Sequence, residues 1–129
     1  MFTQQAPIPS SLHIPGYRHL RNAQPIERLE ATGNYTFIFF RGNPKPILTS
    51  QTLKYFEDQL TDYIRVSKSA LINPDFIEKV IRYDAKTVCV QLIGGHQVAL
   101  SRRRIIEVME RIQCLPHIKP SVFVHSKAH

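Results

Sequence analysis

The sequence predicts an all-β-dominated domain, and three observations point to it. Short apolar or alternating segments recur along most of the chain, each bounded by clusters of Gly, Asn, Asp or Pro. Only two stretches switch to helical spacing. No strand–helix–strand alternation of the kind that builds a parallel sheet links them. A chain of 129 residues has room for one domain with loose ends. The expected division is a lead-in over residues 1–24 with a short strand interrupted at Pro15-Gly16, a domain over 25–113, and a tail over 114–129.

Taken in order, Ile26 to Ala31 is the first firm strand, and Thr32-Gly33-Asn34 is its turn. Tyr35 to Phe40 is apolar on both parities, which suits a strand covered on both faces, with Tyr35, Phe37 and Phe39 in the core. Arg41-Gly42-Asn43-Pro44 closes it, and Pro46 to Thr49 makes a short strand. Leu53, Phe56 and Leu60 then fall at helical spacing, predicting two to three turns capped by Ser50 or Thr52. Tyr63 to Asn73 reads as extended, with Ile64, Val66, Ala70 and Ile72 on one parity. Lys68 falls on that same apolar parity, so a regular strand would bury its ammonium. A bulge or loop at Ser67-Lys68-Ser69 avoids that cost.

A three-strand meander follows over Phe76 to Tyr83, Thr87 to Ile93 and His96 to Leu100. Its turns are Asp84-Ala85-Lys86 and Gly94-Gly95, the latter a strong hairpin signal. Arg102 to Gln113 is the second helix, with Ile105, Val108, Met109 and Ile112 as its apolar stripe and Ser101 as its N-cap. Beyond Pro116 a tail is expected, although Val122-Phe123-Val124 has the pattern to pair with a sheet edge.

Several function classes find no support. No run approaches the roughly 18 apolar residues of a membrane span, so no membrane partner is expected. Met1 to Ser11 lacks the basic and apolar regions of a signal peptide, which makes the cytoplasm the expected location. Cys89 and Cys114 fit neither a disulfide framework nor a zinc pattern. Six scattered histidines include no pair at ligand spacing, and no nucleophile, phosphate-loop or dinucleotide motif is present. No enzyme, metal or cofactor is expected.

Charge is more informative. Lys and Arg number 17 against 10 acids, for a net +7, a balance that favours a polyanionic partner. Between Tyr63 and Arg104 stand eight Lys or Arg and three acids, so most of the excess is concentrated there. Arg102, Arg103 and Arg104 crowd the first turn of a helix, where the dipole disfavours cations by roughly 0.3–1 kcal/mol each. A solvated surface cluster tolerates that conflict; a phosphate bound on the free N–H groups of the turn removes it. Lys68 has a similar pair of readings, a lysine snorkelling from a strand edge or a side chain aimed into a groove.

Three motifs in this order resemble the LytTR DNA-binding domains of bacterial regulators. They are Glu30-Ala31-Thr32-Gly33-Asn34-Tyr35-Thr36; the run from Tyr63 to Asn73, with Arg65, Ser69, Leu71 and Asn73 at the family positions; and Gly94-Gly95 leading to Ser101-Arg102-Arg103. In the second, Ile64 replaces the usual phenylalanine. The match covers roughly residues 25 to 113.

The resemblance implies an elongated stack of small, mainly antiparallel β-sheets with two short helices. It implies double-stranded DNA as partner, read by loops in successive major grooves at direct-repeat half-sites. Carried over by position, Thr36, Lys68 and Arg103 are the base-contact candidates. Asn34, Lys45, Ser67, Ser69, Ser101, Arg102 and Arg104 are the backbone-contact candidates, with Arg65 and Asn34 leaning towards structural roles. Arg103 could make a bidentate contact to guanine, worth roughly 1–3 kcal/mol of discrimination. Relatives carry a receiver or membrane segment ahead of this module. Here about 24 residues precede the first motif, so the expected control is expression level, a second copy on DNA or a separate regulatory protein. The alternatives are a protein-interaction module on the same scaffold and a nonspecific nucleic-acid binder.

Overall fold

The computed structural model describes residues 25–123, with side chains described through residue 118. The expected strand before Arg18 lies outside the described residues. Two sheets carry the fold. The first consists of β1 (Ile26–Thr32), β2 (Tyr35–Phe40), β3 (Ile47–Thr49), β4 (Ile64–Ser67) and β5 (Ala70–Ile72), in the order β3-β2-β1-β5-β4. All its pairings are antiparallel. The second consists of β6 (Ile77–Asp84), β7 (Thr87–Leu92), β8 (Gln97–Ala99) and β9 (Lys119–Phe123), in the order β8-β7-β6-β9.

Alternation along β5 explains why there are two cores. Leu71 faces one side and packs with Leu29, Ile38, Phe40 and the apolar face of α1 (Leu53–Glu57). Ala70 and Ile72 face the other side, where they join Ile64 and Val66 against the second sheet and α2 (Ile105–Gln113). A strand exposes successive side chains on opposite faces, so a single three-residue strand can belong to both cores. Helix α2 delivers Val108 and Ile112 to that second core.

Polar devices fix the seams. Asn73 caps the short 3-10 turn Pro74–Phe76 by accepting from the Asp75 N–H at 3.0 Å. Its amide donates to the Ile26 carbonyl at 2.7 Å and to the Tyr63 hydroxyl at 3.2 Å. A buried asparagine satisfied this fully specifies the chain crossing from one sheet to the other. Arg41 works at the same end of the first sheet, on the other side of β1: it donates to the Ile93 carbonyl at 2.6 Å, pairs with Glu27 at 3.1 Å and lies over the Phe76 ring.

Four expectations change. Helix α1 is only five residues long, capped by Thr52, and Leu60 reaches the core from the loop beyond it. Tyr35, Phe37 and Phe39 all lie on the outward parity of β2: Tyr35 is exposed, the other two are half-buried, and the Arg28 guanidinium stacks on Phe39 at 3.9 Å. Thr36, Ile38 and Phe40 supply the buried parity instead. Arg102–Arg104 form a 3-10 turn ahead of α2, and Ser101 starts it with no side-chain cap bond. Finally, residues beyond Gln113 are not simply a tail. Ile118 is buried and β9 pairs in parallel with β6, with Ile81 opposite Val122 and Arg82 opposite Phe123.

Candidate nucleic-acid interface

Registers place four turns at one end of the molecule. The β1–β2 turn is Gly33-Asn34, with Thr32 opposite Tyr35 and Gly33 at a φ of 60°, where a side chain would be strained. The β4–β5 turn is Lys68-Ser69, and it abuts the first turn because the Ala31 N–H donates to the Ser69 carbonyl at 2.9 Å. The turn at Ser101 abuts the second, since the Ser101 N–H donates to the Val66 carbonyl at 2.9 Å. A concavity between them is lined by Glu30, Ser67, Ser69 and Ser101. The fourth is the β6–β7 turn, whose Lys86 shares a groove wall with Arg102 and Arg103.

Lys68, Lys86, Arg102 and Arg103 are all exposed on these turns, and Arg104 is half-buried beside them. The nearby carboxylates are engaged. Glu57 pairs with Arg65 at 2.5 Å and Glu30 with Arg28 at 2.7 Å. The Lys86 backbone N–H bonds Asp84 and holds its carboxyl below the ordinary range, an arrangement that shapes the turn presenting Lys86. The surface therefore offers four exposed cationic heads, with Glu57 and Glu30 each paired to an arginine, which is what a phosphodiester backbone recognises.

Lys68 leaves the apolar parity as the sequence requires. A register shift between Arg65 and Ser67 turns it out of the core. Asn34 and Ser69 are exposed on their turns. Ser67 is half-buried, and its hydroxyl accepts from the Ser69 N–H at 3.2 Å.

Three candidates are corrected. Thr36 is fully buried, and its hydroxyl donates to the Gln51 carbonyl at 2.7 Å, so it holds β2 to the segment before α1 and presents nothing to a base. Its exposed neighbour Tyr35 stands at that place on the surface. Lys45 sits in the β2–β3 loop at the opposite end of β2, about 17 Å of strand rise away from the turn cluster. The hydroxyl oxygen of Ser101 is buried with no hydrogen-bond partner among the described residues, so it does not reach outward. Lys86 is the residue that sequence reasoning passed over. It contributes to the charge excess, but no motif singles it out, because only the pairing of β7 with β8 carries its turn to Arg102.

Among the described residues no group of three or more His, Cys, Asp or Glu side chains could hold a metal ion. No helix there is long and apolar enough to cross a membrane.

Comparison with known proteins points to one family. The model of the LytTR DNA-binding domain family matches residues 18–113. Among solved structures, the LytTr DNA-binding domain of a methyl-accepting/DNA response regulator from Bacillus cereus superposes with a TM-score of 0.61. That pair is 19% identical and covers 67% of this chain and 80% of the other. No curated protein matches. With the family model spanning most of the chain and the same β-sheet architecture in a solved relative, this protein belongs to the LytTR DNA-binding domain family.

Proposed function

We propose that this protein binds double-stranded DNA in a sequence-specific manner through the four-turn end of the molecule and acts as a transcriptional regulator. The observation that carries this reading is the gathering of Lys68, Lys86, Arg102 and Arg103 on turns locked together by backbone bonds from Ser101 to Val66 and from Ala31 to Ser69. Arg103 is the principal base reader, since a guanidinium on a short turn can address guanine O6 and N7 together. Lys68 reads from the second turn as a point charge. Arg102, Arg104 and Lys86 hold phosphates, with Asn34, Ser67 and Ser69 at the flanks. Two copies on direct-repeat half-sites, or one copy with a separate regulatory protein, complete the functional unit.

The test is selection of duplex sites from a random pool at near-physiological salt, run in parallel on wild type and Arg103→Ala. A recovered motif should lose preference at one base position in the variant, by roughly 1–3 kcal/mol. Wild type that enriches no motif would sink the sequence-specific reading and leave binding by charge alone.

A further inference from the structure

Lys68-Ser69 is a two-residue hairpin turn without the glycine or asparagine that such turns normally need. The strands it joins are short, four residues in β4 and three in β5. The Ser67 hydroxyl fixes the Ser69 N–H, but that bond leaves the carbonyls of the turn to another donor. Arg65 supplies what is missing. Its Nε donates to the Ser67 carbonyl at 2.7 Å, one terminal nitrogen donates to the Lys68 carbonyl at 2.7 Å, and the other bonds the Glu57 carboxylate of α1 at 2.5 Å. The guanidinium is half-buried, with its side chain 16% exposed, so it faces the turn from below while Lys68 stands exposed above.

We infer that Arg65, anchored by Glu57, is the positioning residue that sets the Lys68 turn for base reading. This rests on the proposed DNA-binding function. With both carbonyls held, the backbone under Lys68 has one arrangement, and binding need not pay to order it. The same bonds point the carbonyl oxygens at a cation, which keeps their partial negative charge away from approaching phosphates. A lysine could not replace it, because a point charge lacks the planar fork that meets three acceptors at once.

The experiment compares position-resolved site selection for wild type, Lys68→Ala, Arg65→Lys and Glu57→Gln, with thermal unfolding of each. The expected result is that Arg65→Lys loses preference, about fivefold or more, at the same base position that Lys68→Ala flattens. Other positions keep their preference, and the salt slope of binding stays at the wild-type value, because Arg65 touches no phosphate. Glu57→Gln retains both carbonyl bonds but loosens the anchor, so it should weaken that position about twofold. If Arg65→Lys does not fold, Glu57→Gln decides by the same criterion.

Even loss across all positions, an unchanged profile in the variant that folds, or a Lys68→Ala profile identical to wild type overturns the inference. Wild type that enriches no motif removes the DNA reading and the inference with it. That outcome is distinct from a wild type that reads and variants that read equally well.

Discussion

Tyr35 and Thr36 are neighbours on β2, and strand alternation sends them to opposite environments. Replacing Thr36 with valine keeps the shape and removes the bond to Gln51, leaving a half-buried carbonyl short of a donor. The expected cost is about 0.5–1.5 kcal/mol of stability. The DNA profile should stay as in wild type, which urea titration and site selection together would check. Lys86 gives the converse prediction. It is exposed and touches no base in the proposed reading, so Lys86→Ala should weaken binding evenly across sequences. The slope of log affinity against log salt should fall by about 0.9, because one phosphate fewer is neutralised. A change confined to one base position would move Lys86 from the backbone to a base edge.

At the scale of elements, β9 matters most. It covers β6 on the side away from β7, and the residue leading into it, Ile118, is buried in the core shared with α2. Truncating Ile118 to alanine should cost about 2–4 kcal/mol, read as a lower urea midpoint. A chain indifferent to that change would mean that Ile118 adds nothing to the second core. The element also marks a limit of sequence reading. The run Val122-Phe123-Val124 carries a strand pattern, but the partner of Val122 and Phe123 is β6, far away in the chain and reached only after α2 has folded back. Helix α1 shows the complementary effect. Apolar spacing extends from Leu53 to Leu60, whereas the regular helix ends at Glu57 and the core accepts Leu60 from the turn beyond it, its N–H donating to the Phe56 carbonyl at 2.8 Å.

For the whole molecule, the seam between the cores carries a pH signature. Burial pushes the Tyr63 hydroxyl well above the usual tyrosine range, with the Asp75 charge adding to it. A folded-state pKa raised above the unfolded value means that the native form holds the proton more tightly. The resulting stability is fully present below pH about 10, the unfolded tyrosine value, and is lost as pH rises beyond it. Urea midpoints should therefore fall more steeply between about pH 9 and pH 11 in wild type than in Tyr63→Phe. Equal slopes would show that the Tyr63 proton is not coupled to folding.

Strand positions, turns and the two helical segments were legible in the sequence because each follows from local alternation, capping and turn chemistry. Lys68 was legible for a related reason: a lysine on an apolar parity must leave it, and the register shift at Arg65 is how it does. The Arg102–Arg104 cluster was legible as an electrostatic conflict. What tertiary structure alone decided was which turns meet. Strand order brings Lys86 beside Arg102, sends Lys45 to the far end and buries Thr36 under the segment before α1, and packing brings the Glu57 carboxylate of α1 to the Arg65 guanidinium. Alternation reports only that a side chain faces inward or outward. Which partner it then meets depends on contacts between residues distant in the chain, and those are set by packing two cores on either side of β5.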